Sequence, residues 1–362
     1  MKIGIVGGGQ LGRMLALAGY PLGLEFRVLE PKPAASAGDV AEHVQGGYDD
    51  PEALDAFAEG LDVVTYEFEN VPRASADRLA ARLPVYPPPP ALDVAQDRLD
   101  EKTFFRDHGI PTAPFERVDD REGLEAALGK LGTPAVLKTR RFGYDGKGQV
   151  VIEAPSDADA AWEELGGRPL ILEGFVPFRR EMSILSVRDT SGNLVTYPLI
   201  ENGHREGILV RSRAPAPDVD EELAATARSY AQRVTEALGY VGVLAIELFE
   251  HEGRLLANEM APRVHNSGHW SIEGAETSQF ENHVRAVAGL PLGTTETVGI
   301  SIMQNLIGSV PPLESMLAVE GAHVHLYAKS ARPGRKLGHV TVRALDEGRA
   351  LERAERLAAL LA

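Results

Sequence analysis

A chain of 362 residues has room for two or three domains of about 150 residues each, with ample core. Hydrophobic residues at 44% and charged residues at 25% are ordinary for a soluble globular protein, and a net charge of -16 excludes a general nucleic-acid or anionic-membrane surface while leaving room for a local basic pocket. With no cysteine, disulfides, thiolate catalysis and cysteine–zinc sites are excluded. The apolar run in MKIGIVGGG is too short for a signal peptide and no segment could span a bilayer, so a cytoplasmic protein is expected.

The N-terminal region alternates short apolar runs with helical patterns: strands at KIGIV (2–6), FRVLE (26–30) and LDVVTYEFE (61–69), a parallel α/β arrangement. VYPPPPA (85–91) reads as a stiff, polyproline-like connector and a domain boundary. A helix follows over 97–109, and the prolines hold 110–115 extended. From about Pro114 to Ser212 strands outnumber helices, with candidates at 134–140, 149–153, 170–176 and 181–189. A helix over 220–238 leads into a hairpin, another covers 278–290, and the remainder reads as a small strand-rich module with a terminal helix over 346–361. The expected domains are 1–95, 96–290 (with a lid subdomain at 113–190) and 291–362.

Gly7, Gly9 and Gly12 fit the G-x-G-x-x-G pattern between a strand and a helix, with Glu30 at the end of the next strand. Such a turn offers N–H groups and a helix N-terminus to a phosphate. NAD binding is a further step: Pro31 and Pro33 follow Glu30, and no hydride-transfer constellation appears. A second glycine cluster, KTRRFGYDGKGQ (138–149), places Gly143, Gly146 and Gly148 between two strands. It lacks the order of a P-loop, and a strand follows it. A strand–loop–strand hairpin of this kind can fold over phosphates with its N–H groups and Lys147 as donors, or can be merely a mobile hairpin. Lys138 sits on an apolar strand, where a long charged side chain needs a reason to point inward. Tyr144 and Asp145 at the loop tip could reach a substrate on closure. Glu173 and Glu181, with Gly174, Phe175 and Val176 between them, suit an adenine and ribose site.

NEMAPRVHNSGHW (258–270), read with Glu247, concentrates two carboxylates, an amide, an arginine and two histidines on and beyond a hairpin of VLAIELFE and LLANEM. A three-residue loop, Glu252-Gly253-Arg254, would set Glu247 and Glu259 opposite each other. Two unpaired carboxylates there repel, and a hard cation such as Mg²⁺ resolves the conflict; a solvated hairpin face is the plainer alternative.

KTRRFGYDGKGQ, the Glu173–Val176 segment with Glu181, and Glu247 with Asn258 and Glu259 resemble the ATP-grasp superfamily. Within it, GGGQLGRM (7–14), DRLDEK (97–102), NEMAPRVHNSGHW and YAKSARPGRKLGH (327–339) are similar to the N5-carboxyaminoimidazole ribonucleotide synthetases of purine biosynthesis, colinearly from Met1 to about His339. The resemblance implies a mixed α/β and α+β fold: a Rossmann-like N-terminal domain, a central ATP-grasp domain of two α+β subdomains, and a small strand-rich C-terminal domain. It implies a homodimeric ligase that uses ATP, with Mg²⁺ and bicarbonate, to carboxylate 5-aminoimidazole ribonucleotide through carboxyphosphate.

By that resemblance, Arg98 and Lys138 contact ATP phosphates under the loop of Gly143, Tyr144, Asp145, Gly146, Lys147, Gly148 and Gln149. Glu173, Gly174, Phe175, Val176 and Glu181 hold adenine and ribose, with His204 alongside. Glu247 and Glu259 bind Mg²⁺ with Asn258 in support, and Arg263, His265 and Asn266 hold bicarbonate or carboxyphosphate. The ribonucleotide places its phosphate at Gly9, Gln10 and Leu11 and near Lys329, Arg332 and Arg335, with Glu67, Tyr144 and Asp145 approaching its ribose and base. The general base is Asp145 or His265, and the sequence does not choose. Competing readings are a formate-using glycinamide ribonucleotide transformylase, disfavoured by the YAKSARPGRK and HNSGHW signatures; a biotin carboxylase, for which the chain is short; a non-catalytic nucleotide-binding module; and an NAD-dependent oxidoreductase resting on the first glycine motif. The helix beyond about Val342 receives no role.

Overall fold

The computed structural model describes residues 1–143 and 146–361. Four parallel strands open the chain: β1 (Lys2–Val6), β2 (Glu25–Leu29), β3 (Glu42–Val44) and β4 (Val63–Tyr66), in the order β3-β2-β1-β4. All four β4 side chains are buried, as expected for a parallel strand covered on both faces. Around this sheet lie α1 (Gln10–Gly19), α2 (Pro51–Ala58) and α3 (Arg73–Ala80). The proline run is only partly a connector. Pro89 and Pro90 form the first turn of α4 (Pro89–Gln96), because proline's fixed φ suits a helix start where its missing N–H has no partner to lose. Asp97 then caps α5 (Arg98–Asp107), its carboxylate accepting from Leu99 N at 3.0 Å.

A smaller antiparallel sheet follows: β5 (Phe115–Val118), β6 (Ala135–Thr139), β7 (Gln149–Ile152) and β8 (Leu170–Gly174), in the order β5-β8-β6-β7, with α6 (Arg121–Leu131) and α7 (Ala158–Leu165) between its strands in the chain. The third sheet has nine strands. They are β9 (Arg180–Arg188), β10 (Leu194–Thr196), β11 (Ile200–Arg205), β12 (Ile208–Ala214), β13 (Gly242–His251), β14 (Arg254–Ala261), β15 (Ile300–Ile307), β16 (Ala322–Leu326) and β17 (Lys336–Ala344). Their order is β14-β13-β9-β11-β12-β15-β17-β16, with β10 beside β9. The helices of this region are α8 (Glu221–Ala237), α9 (Ser271–Gly274), α10 (Gln279–Val287), α11 (Leu313–Leu317) and α12 (Glu347–Leu361).

The C-terminal strands are not a sheet of their own. β15 pairs with β12 through Arg211 to Ala214, so one continuous ladder joins the last seventy or so residues to the central domain. α10 does similar work for the N-terminal domain: it packs on α1, β9 and β13, and its buried His283 bonds Thr65 of β4 at 2.8 Å. His283 Nδ1 accepts from Val243 N at 3.1 Å, so Nε2 carries the proton to Thr65, and burial holds the ring neutral with its pKa down at about 4. Among the described residues no helix is long and apolar enough to cross a membrane.

Candidate active site

The three sheets meet around a cleft of about 1160 Å³. Its floor is the β13–β14 hairpin, and here the expected register holds for a different reason. The turn has two residues, Glu252 and Gly253, both at positive φ, and it pairs His251 with Arg254. Continued regularly, that ladder would set Asn258 opposite Glu247 and turn Glu259 to the other face. A bulge after Leu248 absorbs one residue, so Glu259 comes opposite Glu247 with Asn258 beside them.

Helix α5 supplies the facing cations. Arg98 donates to Glu259 Oε2 at 2.7 Å. Burial would raise the Glu259 carboxyl, but Arg98, Lys138 and His265 outweigh it and hold its pKa at about 2. One helical turn on, Lys102 is 1% exposed and lies 3.2 Å from Glu173, which Lys138 also meets at 3.0 Å. Both lysines engage Oε2 of Glu173. It is buried between two lysines, which overcome its desolvation and keep its pKa at about 2, while its Oε1 has no hydrogen-bond partner among the described residues. Glu101 of the same helix accepts from Met260 N at 2.6 Å; burial, with the charge of Glu259 adding to it, raises it to about 8. Glu101, Lys102 and Glu69 received no role from the sequence. The i, i+3, i+4 spacing of Arg98, Glu101 and Lys102 marks one helix face and could have found the first two.

Beyond the hairpin, Arg263 Nε donates to Glu69 Oε2 at 2.6 Å, a partner that comes from just beyond β4. His265 places Nε2 3.1 Å from Glu247 Oε1, and its Nδ1 receives the Ser267 N–H at 3.3 Å with Ser267 Oγ at 2.9 Å. The Nδ1 contact makes Nε2 the protonated nitrogen, so His265 points a donor, not a lone pair, into the cleft. As a general base it is disfavoured. Asn266 lines the cleft but is bonded to Asn305 and His269. The other candidate base, Asp145, lies with Tyr144 outside the described residues.

The glycine loop reaches across the cleft. Gly146 and Gly148 have φ of +74° and +72°, and a Cβ on Gly146 would lie 2.9 Å from the Glu206 carbonyl in the β11–β12 turn. Gly143, Lys147 and Gln149 belong to the same loop and its return strand. Opposite it, Glu181 bonds His204 Nδ1, raising that histidine's pKa against the effect of burial. Gly174, Phe175 and Val176 line the far wall, and Phe178 stacks on Phe249 at 4.7 Å.

At the N-terminal end, the first glycine turn departs from the expected phosphate cradle. Its N–H groups are engaged by a carboxylate, Gly9 N donating to Glu67 Oε1 at 2.5 Å and Gly12 N to Glu67 Oε2 at 2.7 Å. Gly7 at φ +109° leaves the room, since a Cβ there would lie 2.2 Å from Glu67 Cγ. Glu30, the would-be ribose acid of a dinucleotide site, receives the Tyr48 hydroxyl at 2.7 Å. Gln10 and Leu11 line the cleft, and Lys329 Nζ donates to Gln10 Oε1. Arg335 bonds Ser330 and Arg332 is exposed; neither lines the cleft.

The comparisons with known proteins agree along the whole chain. Residues 1–96 match the ribonucleotide synthetase preATP-grasp domain, 103–280 the ATP-grasp domain, and 301–353 the phosphoribosylaminoimidazole carboxylase C-terminal domain. N5-carboxyaminoimidazole ribonucleotide synthase of Pseudomonas aeruginosa is 52% identical, covering 100% of this chain and 99% of that protein. The crystal structure of the synthetase from Thermus thermophilus is 59% identical over 99% of this chain and 98% of that one, with a TM-score of 0.96. The Aspergillus clavatus enzyme in complex with ADP and 5-aminoimidazole ribonucleotide is 31% identical over 99% and 98%, with a TM-score of 0.92. The chain belongs to the N5-carboxyaminoimidazole ribonucleotide synthase family, ligases of the ATP-grasp fold.

Proposed function

We propose that the cleft joins ATP, bicarbonate and 5-aminoimidazole ribonucleotide, forming N5-carboxyaminoimidazole ribonucleotide, ADP and phosphate. The observation that carries this reading is the bulged β13–β14 hairpin, which faces Arg98 and Lys138 with Glu247, Asn258 and Glu259 and leads directly into Arg263 and His265. Phosphate-binding cations and an anion-binding arginine thus share one cavity.

The donor set fits Mg²⁺. Glu247 and Glu259 lie opposite each other, and the buried Asn258 Oδ1 has no partner among the described residues. Among those residues no three His, Cys, Asp or Glu side chains form a metal-holding group by themselves, so Mg²⁺ here would need phosphate oxygens and water to complete its shell. Glu247 and Glu259, with Asn258, would hold Mg²⁺, which when bound neutralises phosphate charge. Arg98 and Lys138 hold the ATP phosphates and spread the charge of a loose transition state as a bicarbonate oxygen attacks the γ-phosphorus. Arg263 and the His265 Nε2–H orient that oxygen. The amine nitrogen then attacks the carboxyl carbon, phosphate leaves, and the amine proton passes to a base for which Asp145 is our candidate. The glycine loop excludes the water that would hydrolyse carboxyphosphate. Lys329 and Gln10 hold the ribonucleotide phosphate beside the glycine turn, whose N–H groups Glu67 occupies.

The divisions at 95 and 290, a homodimer and a cytoplasmic setting belong to the same proposal; exposed Leu17 and Tyr20 on and just after α1 offer apolar surface for a second copy. Phosphate release from MgATP is the test. It should require bicarbonate and rise at least about tenfold with the ribonucleotide. Release indifferent to the ribonucleotide would refute the proposal.

A further inference from the structure

A buried polar array runs from the cleft into the C-terminal strands, and it fixes proton positions. Asn305 of β15 donates from Nδ2 to the Leu209 carbonyl at 2.8 Å and to Asn266 Oδ1 at 2.7 Å. A carbonyl oxygen only accepts, so the Asn305 amide cannot be turned over. Asn266 Nδ2 donates back to Asn305 Oδ1 at 3.1 Å, and its second N–H meets His269 Nδ1 at 3.0 Å. His269 Nδ1 must therefore present a lone pair, which makes the ring neutral with its proton on Nε2. The Tyr327 hydroxyl lies 3.1 Å from the same Nδ1 and 2.6 Å from His339 Nδ1. Since the one lone pair of His269 Nδ1 is taken by Asn266, the tyrosine proton goes along the shorter contact to His339 Nδ1. His269, Tyr327 and His339 are each at most 1% exposed. Burial keeps both histidines neutral, well below their ordinary pKa.

Asn266 is thereby left with both N–H bonds consumed and a lone pair of Oδ1 unused. We infer that His269 is a positioning residue that holds Asn266 as a hydrogen-bond acceptor toward the cleft, so that it meets a substrate group carrying a proton rather than an oxyanion. This rests on the reading above, in which two groups of that chemistry reach the cleft: the hydroxyl of bicarbonate and the amine of the ribonucleotide. Tyr327 also ties the array to the other end of the site, its carbonyl accepting from Ser36 Oγ at 2.5 Å and its ring lying 5.8 Å from Lys329 Nζ.

Histidine ¹⁵N spectra of the whole protein test the array without a variant. His269 should remain the neutral Nε2–H tautomer from about pH 6 to 8; a charged ring or an Nδ1–H tautomer would overturn the inference. Two variants test its consequence. Asparagine can place an oxygen near the position of Nδ1, so His269→Asn should keep kcat within about threefold, whereas His269→Leu should lose about tenfold or more with KM for ATP unchanged. A rise in the leucine variant's KM for bicarbonate identifies the hydroxyl as the donor, and a rise for the ribonucleotide identifies the amine. Equal kcat in the two variants, or no rise in either KM, overturns the assignment. Wild-type turnover in the same assay tests the functional reading separately.

Discussion

Glu259 carries a salt bridge to Arg98 while its side chain remains 38% exposed to the cleft, which places it between a structural ion pair and a ligand. Its depressed pKa means that it is ionised at any pH above about 2 and ready to hold a cation. Glu259→Gln should therefore lower kcat by about 100-fold or more while the chain still folds, at a stability cost of about 1–3 kcal/mol because Arg98, 16% exposed, loses its partner. A thermal melt and an ATP-turnover assay check both halves; unfolding of the variant would mean a structural role. Lys329 carries the opposite sign. Burial, with Arg335 and Lys336 adding to it, lowers its pKa to about 8, so it is a full cation only below that pH. Affinity for a phosphorylated substrate should be highest below about pH 8 and fall as the pH rises through that value, and Lys329→Arg should carry the plateau upward. A KM for the ribonucleotide that stays flat to about pH 9.5 in the wild type would contradict this assignment. At this scale the sequence is informative where side chains of one sign crowd a short segment, as at Glu247 and Glu259. It is silent where a partner arrives from far along the chain: nothing near Glu173 announces Lys102, and nothing near Arg263 announces Glu69.

Asp97 shows how an element delivers a side chain. It caps α5 through Leu99 N and accepts from Arg140 Nε at 2.8 Å, so the helix start and the next residue, Arg98, are held together against the end of β6. Asp97→Ala should cost roughly 1–2 kcal/mol of stability and a larger share of activity, since Arg98 loses its fixed starting point. Denaturant midpoints compared with kcat test this, and a variant that loses stability but not kcat would show that the cap does not position Arg98. The hairpin illustrates what periodicity hides. Alternation in VLAIELFE and LLANEM reveals two strands, but a bulge is an interruption of the pairing ladder, and only the assembled sheet shows it at Asn258. β11 and β12 lack a sequence signature for another reason. ENGHREG reads as a polar loop because Asn202 and His204 face the cleft and its network rather than a core, with Asn202 bonded to Ser183 at 3.0 Å and Ser212 to Asn202 at 2.8 Å.

Across the whole molecule, the nine-stranded sheet binds regions that look separable in sequence. Because β15 adds to β12 and Asn305 reaches Asn266, removing 291–362 would bare a long edge strand and orphan a cleft residue. Such a truncation should lose cooperative unfolding and ATP turnover together; a soluble, cooperatively folded fragment would argue that the C-terminal strands are only an appendage. The parallel N-terminal sheet and the two strand-rich regions are legible from run length and turn residues, whereas the pairing of β12 with β15, more than eighty residues apart in the chain, has no local signature. What that assembly produces is one cavity lined by Arg98, Lys138 and Arg263 together with Glu247 and Glu259. The most direct test is the fate of the bicarbonate oxygen. With [¹⁸O]bicarbonate, MgATP and the ribonucleotide, each phosphate released early in the reaction should carry one ¹⁸O, because the bridging oxygen of carboxyphosphate leaves with phosphorus. Unlabelled phosphate would mean that water attacks the γ-phosphorus, and would contradict the account.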